Sequence, residues 1–190
     1  MQKVQFAMKK SDEKLVSFLA ALCLFLAAIE NAIPKPLPFL RLGLANLPVI
    51  LTLYLLPYRK ILLLVLFKVL AQGIISGTLF SYVFLFSAGG SFASAIGMIF
   101  IHALFGKYTS AVGVSLFGAM LNNFAQLLLA RFFLFGENAK YIAPILLLSG
   151  LVSGLLLGIF VELFMRKSMW FADRKAEYSL MKTRESDKNE

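Results

Sequence analysis

Six stretches of apolar residues follow one another along the chain, separated by short polar segments. They cover residues 15–33, 42–56, 61–75, 82–106, 108–130 and 141–163. A helix needs about 20 apolar residues to cross a hydrocarbon core about 30 Å thick. The pattern therefore predicts an all-α, polytopic membrane protein built as a bundle of six transmembrane helices. The second and third stretches are short for a span, so a re-entrant hairpin is an alternative for that region.

The composition agrees with a membrane protein and excludes several other classes. Of the 190 residues, 59% are hydrophobic and 15% are charged, whereas about 25% of the residues in soluble domains are charged. A soluble domain of this size would lack the polar surface to cover so many apolar side chains. The chain has one cysteine, Cys23, which excludes an intrachain disulfide and a cysteine-rich zinc site.

The positive charges are placed unevenly, and this predicts the orientation. Most of the 19 Lys and Arg residues lie in the first 14 residues, in the turn at 57–60, at Lys107 and after residue 165. Positive charge is retained on the cytoplasmic side. We therefore expect a cytoplasmic tail (1–14), a membrane domain (15–165) and a basic cytoplasmic tail (166–190) that contacts membrane lipid. The basic residues that orient the chain in the membrane account for its formal net charge of +9, so no nucleic-acid partner is expected.

Small residues spaced four apart predict where helices approach closely. In membranes, such residues let two backbones come together. The sixth stretch carries Gly150, Gly154 and Gly158, and the third ends with Gly73 and Gly77. We interpret these glycines as helix-packing positions, with a face for docking a partner protein as the alternative.

Polar side chains inside the predicted spans indicate a binding site. Such groups are costly in a membrane and usually face the bundle interior or a pathway. The predicted topology places ten of them at similar depth in the outer half, and they are our candidate substrate-binding residues: Glu30, Asn31, Arg41, Asn46, Lys68, Gln72, Asn122, Asn123, Gln126 and Arg131. The cations favour a small substrate with an acidic or phosphate group. As alternatives, the amides could hold helices together, the arginines could reach the headgroups, and Glu30 could form a structural ion pair.

Catalytic motifs are missing from the sequence. It contains no GxxxxGK[ST] phosphate loop, no HExxH helix and no GxSxG elbow. Its three aspartates, Asp12, Asp173 and Asp187, all lie in the tails, so it has no carboxylate cluster to hold magnesium against a diphosphate. We expect neither an enzyme nor a cofactor-binding or metal-binding protein.

Three segments carry a resemblance to a bacterial membrane family. They are LPFLRLGLANLPVILTLYLL (37–56), KVLAQGIISGTLFS (68–81) and GAMLNNFAQLLLA (118–130). The family is labelled both Gx transporter and heptaprenyl diphosphate synthase component I, and the resemblance covers about residues 15–165. It is similar to the S components of energy-coupling factor (ECF) vitamin transporters. The positions that match the family blocks are Arg41, Asn46, Lys68, Gln72, Asn123 and Gln126.

The resemblance implies a six-helix bundle in the bacterial cytoplasmic membrane, with an outward-facing pocket capped by the first loop. It also implies docking onto an ECF-type transmembrane subunit that carries two ATPases. We therefore expect binding and uptake of a small vitamin-like or cofactor-like substrate. One alternative is a non-catalytic membrane subunit associated with heptaprenyl diphosphate or quinone synthesis, or with a redox complex. Another is a component that takes part in polyprenyl diphosphate synthesis itself.

Overall fold

The computed structural model describes residues 2–32 and 43–186, and within these ranges every regular element is helical. This confirms the all-α prediction for the described part of the chain. A 3-10 turn (Leu44–Asn46) precedes the second helix, and a π turn (Arg131–Phe135) continues the fifth. The α-helices formed by the described residues are α1 (Gln2–Ala32), α2 (Leu47–Thr52), α3 (Tyr58–Ile75), α4 (Tyr82–Phe105), α5 (Ala111–Ala130), α6 (Ala143–Lys167) and α7 (Met169–Ser186).

Three segments among the described residues are long and apolar enough to cross a membrane. They are Tyr82–Phe105, Ala111–Tyr141 and Ala143–Lys167. Large apolar side chains point outward along them, including Ile96, Phe100 and Phe124, each more than half exposed. An apolar surface of this extent is typical of a membrane or protein interface. The chain is therefore a membrane protein whose outer surface suits contact with lipid.

The second predicted span is not a membrane-length helix, and the prediction of six full spans is not confirmed. Helix α2 has six residues, which corresponds to about 9 Å of rise. After α2, backbone N–H groups donate hydrogen bonds to carbonyls three residues earlier, as from Leu55 N to Thr52 O at 3.1 Å. Pro57 then precedes α3. Neighbouring helices bury this apolar stretch, since Val49, Ile50 and Leu51 are at most 3% exposed.

Residues 43–56 nevertheless run antiparallel to α1. Gly43 and Leu44 hydrogen-bond to Glu30 near the end of α1. Tyr54 lies at the other end of the bundle, where its ring centroid is 5.1 Å from that of His102 and 6.4 Å from that of Phe171. We call this end, at which α4 and α6 end and α3 and α7 begin, the basal end. The Glu30 level is the distal end.

The glycines of α6 pack against α5. A Cβ atom on Gly154 would lie 2.8 Å from the Cβ of Ala119, and one on Gly158 would lie 2.6 Å from the Cα of Val112. Ser115 reinforces the contact by donating a hydrogen bond from its hydroxyl to the Gly154 carbonyl at 2.8 Å. Close backbone approach therefore holds these two helices together.

The two glycines predicted at the end of the third span behave differently. A Cβ on Gly73 would lie 2.7 Å from the Phe84 ring, so Gly73 does sit at a helix contact. Gly77 lies beyond the end of α3 with φ +64°, and a Cβ there would meet nothing within 4 Å. Gly77 supplies a left-handed turn conformation rather than a packing surface.

Phe171 packs α7 against the bundle, and this contact can be tested. Phe171 is 2% exposed and packs with the main core. Loss of a buried Phe side chain costs about 3–5 kcal/mol, so Phe171→Ala should release α7. We expect faster trypsin cleavage after Arg174 or Lys175 under conditions in which the bundle remains folded. Met169→Ala, at an 82% exposed position, is the matched control and should leave cleavage at the wild-type rate.

Candidate functional site

Hydroxyl and amide groups from several elements surround a small cavity between the distal part of α2 and helices α4, α5 and α6. Its volume is about 20 Å³, which is enough for roughly one water molecule. Apolar side chains, including Ile50, Met98 and Leu157, complete its wall. The polar side chains that line it are Asn46, Ser94, Ser115, Asn122, Asn123 and Ser153.

Asn123 is fixed between α5 and α6. Its Nδ2 donates to the Leu146 carbonyl of α6, and its Oδ1 accepts from Asn122 Nδ2 at 3.0 Å. This placement depends on Gly150, where a Cβ atom would collide with the Asn123 amide. The glycine row of α6 therefore also makes room for a buried amide.

Asn46 connects the cavity with the buried lysine of α3. Lys68 is 4% exposed, and its Nζ donates a hydrogen bond to Asn46 Oδ1. Gln72 lies one turn further along α3 and is also buried, since residues four apart share a helix face. A buried ammonium group is stable only when it is well paired, so this contact ties α3 to the turn that carries Asn46.

Glu30 holds that turn against α1. Its side chain is 2% exposed, and its two carboxylate oxygens accept from Gly43 N at 3.2 Å and from Leu44 N at 2.9 Å. Gly43 has φ +79°, a left-handed conformation that favours glycine. The carboxylate thereby sets the position of Asn46, which follows three residues after Gly43.

Removing the Glu30 carboxylate should destabilise the bundle. Hydrogen bonds to charged groups contribute about 1.5–3 kcal/mol each, so we expect Glu30→Ala to lose at least about 2 kcal/mol. Glu30→Gln retains one acceptor oxygen and should have an intermediate effect. Thermal unfolding in detergent measures both. Equal midpoints for Glu30→Ala and the wild type would show that the carboxylate does not hold the turn.

Three buried side-chain oxygens in this region have no hydrogen-bond partner within the described part of the chain. They are Gln72 Oε1, Ser94 Oγ and Gln126 Oε1, and Ser94 lines the cavity. Buried polar atoms are nearly always paired, and leaving one unpaired costs about 1–3 kcal/mol. These atoms can exchange hydrogen bonds with a bound molecule or water. We name the polar cluster as Glu30, Asn46, Lys68, Gln72, Ser94, Asn122, Asn123 and Gln126.

The structure brings together several of the residues singled out from the sequence. Asn46, Asn122 and Asn123 line one cavity. Gln126 joins Asn122, because the amides of both lie against Gly90 of α4. Lys68 is linked to the cavity wall by its hydrogen bond to Asn46. Glu30 is linked to it less directly, because its carboxylate binds the backbone of the turn that carries Asn46.

Other predicted residues are not in the cluster. Arg131 lies in the π turn with its side chain 55% exposed, and it forms an ion pair with Glu137 at 2.5 Å. An arginine at a helix end can reach a carboxylate of the following turn, as Arg131 does here. Arg41 lies outside the described residues, as does the side chain of Asn31.

Sequence reasoning missed the serines. Ser94, Ser115 and Ser153 line the cavity, but none of them is among the candidate residues predicted from the sequence. One signal was available. Residues 87, 91 and 94 are serines at helical spacing on α4, and all three are buried.

The charged groups at the basal end have structural contacts. Glu162 accepts a hydrogen bond from Ala111 N at 3.0 Å at the start of α5 and pairs with Arg166. Tyr58 and His102 approach within 3.3 Å, measured from the hydroxyl to Nδ1. Within the ranges that the structure describes, no group of three or more His, Cys, Asp or Glu side chains is arranged to hold a metal ion.

Comparison with known protein families identifies a family to which the chain is similar. A family model described as heptaprenyl diphosphate synthase component I matches residues 19–164. No curated protein and no solved structure matches the chain. The matched segment includes the whole polar cluster and the glycine row of α6.

Proposed function

The chain belongs to the heptaprenyl diphosphate synthase component I family, and from that premise we propose that it binds a small polar substrate and passes it across the membrane. In this proposal it acts in the manner of an ECF S component. It lies in the bacterial cytoplasmic membrane with both termini in the cytoplasm, so the basal end faces inward. It has no catalytic site of its own.

The observation that carries this proposal is the set of unpaired buried oxygens beside the cavity. Ser94 and Gln126 are each 1% exposed, so Ser94 Oγ and Gln126 Oε1 are buried away from lipid and bulk water. A fold gains nothing from such atoms unless they have another partner. A substrate with hydrogen-bonding groups would satisfy them, and Lys68 supports an acidic group on that substrate. Polar groups buried in a membrane protein often mark a substrate pathway, which supports the carrier role.

Substrate access requires the bundle to open. A cavity of about 20 Å³ is far smaller than the roughly 300–1,000 Å³ of ligand pockets. The Gly43–Asn46 turn is the moving part in this proposal. It lies at the cavity beside Asn122 and Asn123, and the hydrogen bonds described above, to Glu30 and Lys68, must break for it to move. Its displacement toward the distal end opens the cavity to the exterior.

Transport against a gradient requires a partner. The sequence contains no phosphate loop for binding ATP, so the energy comes from another protein. The resemblance to S components points to a transmembrane subunit with two ATPases, which would dock on the exposed apolar surface of the bundle.

A second candidate function is supported by a neighbouring cleft. An apolar cleft of about 770 Å³ between α1 and α6 shares Ser153 and Leu157 with the polar cavity. A molecule with a polar head and a long apolar tail could use both spaces. This favours a non-catalytic membrane subunit that accommodates a prenyl chain for heptaprenyl diphosphate or quinone synthesis.

Mass spectrometry of the molecules released from purified, denatured protein separates the two candidates. A small polar compound, lost in Ser94→Val and kept in Leu148→Trp, supports uptake, because Ser94 lines the polar cavity and Leu148 lines only the cleft. A prenyl compound with the opposite dependence supports the second candidate. Co-purification of an ATPase pair or of a soluble prenyl synthase gives an independent answer. If the wild-type protein retains no compound and no ATPase co-purifies with it, the uptake proposal is contradicted.

A further inference from the structure

A further cavity opens at the basal end, between α1 and the α6–α7 junction. Its volume is about 520 Å³. Helix α1 packs on α2 and α3, whereas α6 packs on α5, so α1 and α6 leave a groove between them with α2 as its floor. The residues that line it are Lys14, Leu15, Phe18, Leu19, Leu22, Leu51, Phe164, Ser168, Trp170 and Arg174.

The wall contributed by α7 is held in place. Phe171 is buried in the core, and the Ser168 hydroxyl accepts a hydrogen bond from Phe171 N at 3.2 Å at the start of α7. Trp170 and Arg174 lie one helical turn apart, and both line the groove. The mouth of the groove is therefore a fixed arrangement.

The groove combines basic, aromatic and aliphatic side chains. Lys14 and Arg174 contribute positive charge to its lining, and Trp170 lines it as well. Most of the remaining lining is formed by Leu and Phe side chains. Tryptophan is enriched at the headgroup level of membranes, and basic side chains there attract anionic lipid.

We propose that this groove binds an anionic glycerophospholipid, with its phosphate between Lys14 and Arg174 and an acyl chain along Phe18, Leu22 and Phe164. Arg174 Nη1 donates to Glu177 Oε2 at 2.9 Å in a partly exposed ion pair. Such pairs contribute little to stability, so the lipid phosphate replaces Glu177 as the partner of Arg174. The bound lipid fills the gap between α1 and α6. This inference is independent of the substrate of the polar cavity.

Trp170 provides a direct test because it is the only tryptophan in the chain. The full-length protein is reconstituted in phosphatidylcholine with a small fraction of phosphatidylglycerol brominated on one acyl chain, since bromine quenches tryptophan fluorescence. We expect quenching well above that predicted from the lipid fraction, corresponding to a preference on the order of fivefold per cation. Brominated phosphatidylcholine in a phosphatidylglycerol background should quench less than its fraction predicts.

Charge variants distinguish a site from a diffuse surface effect. Lys14→Gln and Arg174→Gln should each reduce the preference about fivefold. Lys167→Gln removes an exposed charge at the same end but outside the groove lining and should keep the preference. Quenching in proportion to lipid fraction, or equal losses in all three variants, would overturn the proposal. Relief of quenching by a polyprenyl phosphate, but not by unlabelled phosphatidylglycerol, would assign the groove to a prenyl lipid instead.

Discussion

Lys68→Met is expected to weaken binding of the retained small molecule at least about tenfold, which corresponds to about 1.4 kcal/mol. The methionine keeps most of the side-chain volume in a position that is 4% exposed, but it removes the charge and the hydrogen bond to Asn46. Both the acidic group of the substrate and the Asn46 turn lose their partner. The measurement is the equilibrium dissociation constant of the compound identified from the wild-type protein.

Two controls make this result specific. Lys167→Met changes the same residue type at an exposed position of α6 and should bind as the wild type does. Thermal unfolding must show that Lys68→Met remains folded in detergent. Wild-type affinity in a folded Lys68→Met protein would remove Lys68 from the site.

Gly158→Ala is expected to lower the free energy of unfolding by about 1–3 kcal/mol, the usual cost of overpacking. The new Cβ would lie 2.6 Å from the Cα of Val112, and a backbone atom cannot move without displacing α5. The thermal midpoint should fall by about 2–4 °C for each kcal/mol in a chain of this length.

Gly113→Ala is the matched control on the facing helix. Its Cβ would meet only Ser110 Oγ, at 3.5 Å, and alanine favours helix over glycine by about 0.5–1 kcal/mol. We therefore expect an unchanged or slightly higher midpoint. A similar fall in both variants would mean that the α5–α6 contact is not what limits stability. Gly154→Leu should be more damaging than Gly158→Ala, because the whole side chain must enter the contact between helices.

The helices that face lipid could be predicted from hydropathy, and the buried segment could not. Apolar residues in α4 and α6 continue around the helix for a membrane length. Residues 43–56 are equally apolar, but for a different reason: Val49 and Leu51 are covered by other helices rather than by lipid. A hydropathy pattern cannot distinguish these two environments, so the second span was predicted too long.

The sequence predicted those members of the polar cluster whose burial inside a membrane is energetically costly. Buried Lys68 and Asn123 are expensive in a membrane, so their positions in apolar stretches indicated an interior site. Arg131 carries the same charge as Lys68 but lies at a helix end, where a partner such as Glu137 is within reach. A charge at that position costs little, so it does not indicate an interior site. Ser94 costs little in a helix and resembles a packing residue, so its helical spacing with Ser87 and Ser91 was the one weak signal of its position in the sequence.

Cysteine accessibility at position 94 tests most directly whether the polar cavity opens to the exterior. The native Cys23 is fully buried and is replaced by alanine, and Ser94→Cys is then the only thiol. We predict that a charged, membrane-impermeant thiosulfonate added to intact cells modifies this cysteine, more slowly when the substrate is present. Ser110→Cys, exposed at the basal start of α5, should react only in inverted vesicles. A position 94 cysteine that reacts from neither side, or only from the basal side, would contradict the account.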